Sequence, residues 1–210
     1  PPPPPPATPP LSLHDALPIL GVMLSAAGSL RWYRDTLAPE VDFGALVAEA
    51  GPVPPGADGL RFLPYLTGER TPHADPLARG AFVGLTLRHH RAHLVRSVLE
   101  GVTFGLRDCL DLARGLAPIE KVRISGGGAR SPQWRQMMAD VFGCPVATVN
   151  VAEGAAFGAA VLAAVGGGAF RNVEEAATAI VRETGTTVPG EHAGAYEAAY
   201  ERYRGLYPTL

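Results

Sequence analysis

The chain has 210 residues, 47% hydrophobic and 18% charged, a balance that supports a sizeable globular core and excludes a disordered polymer. A formal net charge of −2 argues against bulk nucleic-acid binding, and the longest uncharged stretch, 17 residues from Gly154 to Phe170, is shorter than the ~20 apolar residues of a membrane span. Two cysteines, Cys109 and Cys144, are too few for a disulfide framework and point to a reducing, cytoplasmic setting.

Nine of the 21 prolines fall within Pro1–Pro18. That segment reads as extended polyproline or disorder, a tail or non-native junction rather than an SH3-type ligand, and it is set apart from the folded body. The body opens with Ile19–Leu24 (ILGVML), expected as a buried strand. Ser25–Ser29 then leads into a helix from Leu30 to about Leu37, stopped by Pro39. Asp42–Ala50 is expected as a short amphipathic helix, Gly51–Gly59 as a loop and Leu60–Leu66 as a short apolar segment. The polar stretch Thr67–Arg79 follows, rich in potential ligands. Ala92–Gly115 is the clearest helix, with Leu94, Val95, Val98, Leu99, Val102 and Leu106 on one face. Within it, Gly101 and Gly105 lie one turn apart and permit close approach of a neighbour.

The last third alternates strand and helix. Val122–Ser125 is a β-favouring run, followed by Gly126-Gly127-Gly128 and a helix from Pro132 to Phe142. Ser131 is its expected N-cap, Pro132 its first helical residue and Gly143 its stop. Pro145–Val151 is the next strand and Glu153–Val165 the next helix. Two strands joined through a helix predict parallel pairing, hence an α/β class. After Gly166–Gly168 two more helices are expected, the last over Ala193–Tyr207.

The strongest chemical signal is Ser125-Gly126-Gly127-Gly128-Ala129-Arg130-Ser131 between a strand and a capped helix. Glycines let a ligand lie against the backbone, and the helix start offers free N–H groups to phosphate or ribose oxygens. A tight turn with no ligand is the other reading. The stretch lacks GK[ST], so it is not a Walker-A loop. It fits a dinucleotide fingerprint poorly, with Ser131 at the third glycine and Glu153 as the first acidic residue beyond the next strand. His89 and His93 share helix spacing for a metal, but no third ligand completes a set, and a solvated helix start is the preferred reading. Glu69, Arg70, His73 and Asp75 read as a hydrogen-bonded loop in preference to an acid–base cluster.

Phe62–His73 (FLPYLTGERTPH) with Arg79–Leu85 (RGAFVGL) resembles the carboxy-terminal domain of the FGGY carbohydrate kinases. So do Gly80-x-Phe82-x-Gly84-Leu85 with the later His93-Leu94-x-x-Ser97-Val98-Leu99-Glu100, and Ile124–Trp134 (ISGGGARSPQW). The FLPYLTGERTPH wording points to the branch of the family that acts on xylulose, and the match runs from about Ile19 to Leu210. The resemblance implies the RNase H-like, actin-like ATPase fold, incomplete here at its amino-terminal strands. It implies ATP and Mg²⁺ as cofactors and transfer of a phosphoryl group from ATP to a hydroxyl of D-xylulose or a related sugar. By the same resemblance Gly126, Gly127 and Gly128 border the adenosine and Ser131 contacts the base. The Ser25–Trp32 turn lines the nucleotide through Ala27 and Arg31, which stand where relatives carry glycine and glutamine.

The family's general base is an aspartate in a Gly-Asp-Asn-like stretch, and none of the eight aspartates here has that context. No catalytic residue is therefore assigned, and the resemblance implies a missing amino-terminal kinase domain and a full-length parent able to form a homodimer. An uncovered sheet edge and marginal stability are expected of such a piece. A non-catalytic nucleotide-binding fragment and an NAD-dependent enzyme are the alternative functions.

Overall fold

The computed structural model describes residues 21–151 and 154–209. The proline-rich segment 1–18, Ile19 and Leu20 of the first expected strand, and Glu153 of a later helix lie outside the described residues. Helix α1 (Ala26–Leu37) buries Ser29, Leu30 and Tyr33. It begins at Ala26 and not at Leu30, because Ala26 and Ala27 favour helix while adding nothing to an apolar stripe. Helix α2 (Phe43–Ala50) starts at Asp42, whose carboxylate accepts the N–H groups of Gly44 and Ala45 at 2.8 and 3.1 Å, satisfying two donors that a helix start leaves open.

Strands β1 (Arg61–Leu63) and β2 (Ala81–Val83) pair antiparallel with Phe62 opposite Phe82. Helix α3 (Arg91–Arg114) follows and is buried almost without interruption from Ala92 to Gly105. The sequence expectation of one apolar face understates this, since α1, α2 and β1 all pack on it. Its buried polar residues are paired: Glu100 accepts from Arg96 Nε at 2.8 Å and from the Gly56 N–H at 2.9 Å, while Arg96 also donates to the Tyr196 hydroxyl. A buried carboxylate is tolerable only with such partners.

Strand β3 (Val122–Ile124), helix α4 (Pro132–Phe142) and strand β4 (Val146–Val149) form the expected unit, with β3 and β4 parallel and Val122 opposite Val146. The caps also agree, with Ser131 at the start and Gly143 at φ +64° at the end. Helices α5 (Gly154–Gly166) and α6 (Val173–Ile180) lead to strand β5 (Glu183–Thr187), which adds antiparallel to β4 to give the order β3-β4-β5. Helix α7 (Ala193–Arg204) closes the chain against α3 and α4, with Tyr196, Tyr200 and Tyr203 around the Phe104 ring at 6.4, 5.8 and 5.3 Å between centroids.

Two expectations are corrected. Gly21–Leu24 forms no strand. Val22 instead bonds Thr71 twice, N–H to Oγ1 and carbonyl to N–H, each at 3.0 Å, and the Leu24 N–H donates to Glu69 Oε1 at 3.1 Å. Isolated bonds to a loop, two from side chains and one from backbone, and not a neighbouring ladder, satisfy this segment. Strand β5 was not expected between the last two helices. Its ETGTT sequence lies largely exposed and shows no apolar alternation to betray it.

The close approach read from Gly101 is real: a Cβ there would stand 2.1 Å from the Phe62 carbonyl oxygen, backbone that cannot yield. At Gly105 the nearest atom is the terminal methyl of Met23, 3.1 Å away. Gly101→Ala is expected to cost about 3 kcal/mol by denaturant unfolding, and Gly105→Ala well under half of that, because a thioether end can move aside.

Candidate functional site

The glycine bend takes its shape from backbone geometry. Gly126 sits at φ +82°, ψ −165°, a region essentially closed to residues with a Cβ. Residues 127–130 then make a single 3₁₀ turn. Ser131 ends the turn by accepting the Trp134 N–H on its hydroxyl oxygen at 3.2 Å, and Arg135 Nη1 donates to the Ala129 carbonyl at 2.6 Å. The second half of the bend is thus tied to the first turn of α4 at Ala129 and Ser131.

Trp134 fixes this unit to the core. Its indole N–H donates to Thr103 Oγ1 at 3.0 Å, and that hydroxyl donates onward to the Leu99 carbonyl at 2.7 Å. A Cβ on Gly128 would lie 3.3 Å from the Trp134 ring, so the bend rests directly on the indole.

Opposite the bend stand α1 and α2, and between them opens a hollow of ≈ 510 Å³. From α1 come Ala27, Leu30 and Arg31; from α2 come Phe43, Gly44 and Val47. The bend and α4 supply Gly127, Gly128, Arg130, Ser131, Gln133 and Trp134. Gln133 packs on Gly51, where a Cβ would meet its amide nitrogen at 2.9 Å.

Of the residues singled out in the sequence, Ala27, Arg31, Gly127, Gly128 and Ser131 line this one hollow. Gly126 borders instead an adjoining groove of ≈ 400 Å³, which Ala27, Gly127 and Gly128 share and which runs under Val122 and Ile124. Sequence reasoning missed the apolar wall of Leu30, Phe43 and Val47. Phe43 and Val47 carried a signal, four residues apart on a short amphipathic helix, but one indistinguishable from a core face.

The other clusters resolve into structure. Glu69 is buried and accepts from Leu24 and Arg70 N–H groups. His73 Nε2 meets the Tyr65 hydroxyl at 3.0 Å, and Asp75 accepts the Tyr207 hydroxyl at 2.8 Å. The loop is hydrogen-bonded, as read. The histidine segment is less solvated than expected: His93 is buried, meets Asp58 Oδ2 at 3.1 Å and accepts the His90 N–H on Nδ1 at 3.4 Å at the start of α3. Among the described residues no group of three or more His, Cys, Asp or Glu side chains converges on a metal position, so no residue is matched to Mg²⁺. No helix among them is long and apolar enough to cross a membrane.

A second cleft of ≈ 380 Å³ lies between α3, α7 and the 65–73 loop. There Tyr200 donates to Asp108 at 2.7 Å and Asp111 at 3.1 Å, while Tyr65 links His73 and Tyr203. Burial pushes the Asp108 carboxyl up to about 6, against the opposing pull of the Tyr200 hydrogen bond. These groups satisfy one another.

Both the architecture and the motifs now have counterparts. The pattern of the FGGY family of carbohydrate kinases, C-terminal domain, matches residues 20–167, and the chain belongs to that family. It is 38% identical over 195 residues to the xylulose kinase of Bacillus subtilis, a match covering 92% of this chain and 39% of that protein. Among solved structures, the xylulose kinase of Rhodospirillum rubrum superposes with a TM-score of 0.76 at 38% identity, covering 90% of this chain and 39% of that one. The gluconate kinase of Lactobacillus acidophilus gives 0.78 at 28% identity, covering 88% and 38%. The fold is therefore that of the FGGY kinases, RNase H-like and actin-like. The chain spans about two fifths of the length of these relatives.

Thr103→Val keeps the shape of that side chain but leaves the Trp134 indole N–H buried without an acceptor. It is expected to cost about 2 kcal/mol in denaturant unfolding, with a change in tryptophan emission of the native state.

Proposed function

We propose that residues 19–210 form the carboxy-terminal domain of an ATP-dependent sugar kinase and supply its adenosine-binding part. The reaction of the whole protein is phosphoryl transfer from ATP to a hydroxyl of D-xylulose or a related sugar. The observation that carries this reading is the open hollow at the glycine bend. Its ≈ 510 Å³ falls within the range of small-ligand sites. Leu30, Phe43 and Val47 offer an apolar wall to a purine, and Gly127 and Gly128 let the nucleoside approach the backbone. Because the Ser131 oxygen already accepts the Trp134 N–H, its own hydrogen is available to an acceptor on the base.

Phosphoryl transfer consists largely of positioning and charge stabilisation, for which a bound Mg²⁺ would supply charge neutralisation and a base would take the proton of the attacking hydroxyl. No residue among those described is assigned to hold the ion. The sequence contains no Gly-Asp-Asn stretch, so the 210 residues alone bind nucleotide without turning over sugar. Support for a sugar substrate comes from relatives named xylulose kinase and gluconate kinase. An NAD-dependent role fits worse, since Ser131 stands at the third glycine of the dinucleotide pattern.

Calorimetric titration with ATP and with NAD, beside an assay for phosphate transfer to D-xylulose and gluconate, tests the reading. ATP binding, no detectable NAD binding and no sugar phosphate are expected. Preferential NAD binding contradicts the kinase assignment, and sugar phosphorylation by the 210 residues contradicts the binding-only role of the piece.

A further inference from the structure

The hollow at the glycine bend has one property that an adenosine seat does not need. Arg31 reaches it from α1 and Arg130 from the turn on the opposite wall, and no Asp or Glu is among its lining residues. Neither arginine forms an ion pair among the described residues. Nearby surface arginines are engaged: Arg34 of α1 holds Asp35, and Arg91 of α3 holds Glu49 of α2. In a chain of net charge −2, two guanidinium groups that line one apolar hollow with no opposing carboxylate among the described residues are a local excess of positive charge.

Their position sorts the ligand. The floor of the hollow is apolar and glycine-lined and suits an uncharged ring. Arg31 and Arg130 are solvent-exposed and stand at its rim, where a charged tail would leave it. Guanidinium is planar, permanently charged and suited to phosphate oxygens. We propose that Arg31 and Arg130 form a two-sided clasp for the polyphosphate tail, so that this chain by itself selects nucleoside di- and triphosphates over the nucleoside. The inference rests on the nucleotide reading above and adds where the charge of the ligand is held.

The test is calorimetric titration of the 210-residue chain with adenosine, AMP, ADP and ATP at about 50 mM and about 300 mM salt, spanning the change from weak to strong screening. Affinity is expected to rise with the number of phosphates, and the gain to shrink at the higher salt. Arg31→Gln and Arg130→Gln are each expected to weaken ATP binding about threefold at low salt and to leave adenosine unchanged. Thermal unfolding of both variants should match the parent, since neither side chain is buried. Equal loss of adenosine and ATP affinity would mean that the arginines stack on the base, and would overturn the clasp while leaving the nucleotide site standing. Unchanged ATP affinity in both variants would overturn it likewise. Failure of all four ligands to bind would overturn the nucleotide reading and the clasp together.

Discussion

One hydrogen-bonded relay organises the site: Trp134 to Thr103, and Thr103 to the Leu99 carbonyl. It joins the first turn of α4 to the buried middle of α3, against which α1, α2, α4, α7 and β1 all pack. The glycine bend rests on the same indole through Gly128. The position of a solvent-facing loop is thereby set by the best-packed part of the molecule. Loops held in this way can present a fixed surface to a ligand, whereas a loop held only by its own turn must be ordered at the moment of binding.

A division of labour between the two halves of the chain follows from that arrangement. The amino-terminal half contributes α1 and α2, whose apolar faces serve both the core and the hollow: Leu30 and Val47 are buried residues that also line the opening. The carboxy-terminal half contributes a bend with little side chain of its own, whose Gly127 and Gly128 line the opening, and a helix start capped by Ser131. Apolar surface on one side and glycine backbone on the other make a cleft suited to a flat heterocycle joined to an anion.

Much of this was legible before the structure. The Ser131-Pro132 start and Gly143 stop of α4 are strong local signals, since a side-chain acceptor, a fixed φ and a left-handed cap each answer a need of the helix end. The parallel pairing of β3 and β4 followed from the helix between them. What was not legible had physical causes. Strand β5 is held by backbone pairing to β4 and by the ion pairs of Glu183 with Lys121 and Arg123, none of which leaves a periodic pattern. Gly21–Leu24 looks like a strand because it is apolar, yet Thr71, by side chain and backbone, and the Glu69 side chain take its backbone bonds. Phe43 and Val47 could not be told from core residues, because a helix that shares its face between core and cleft has the same periodicity as one that buries it all. The glycine bend was readable for the opposite reason: its residues are too small to be explained by packing.

The most direct test of the account is to observe the backbone and indole N–H groups of the bend by nuclear magnetic resonance while ATP is added. The account predicts that the shifts concentrate in Gly127, Gly128, Ser131 and the Trp134 indole, while His73 and Tyr200 in the second cleft stay still. Shifts confined to that second cleft, with the bend unmoved at saturating ATP, would contradict it.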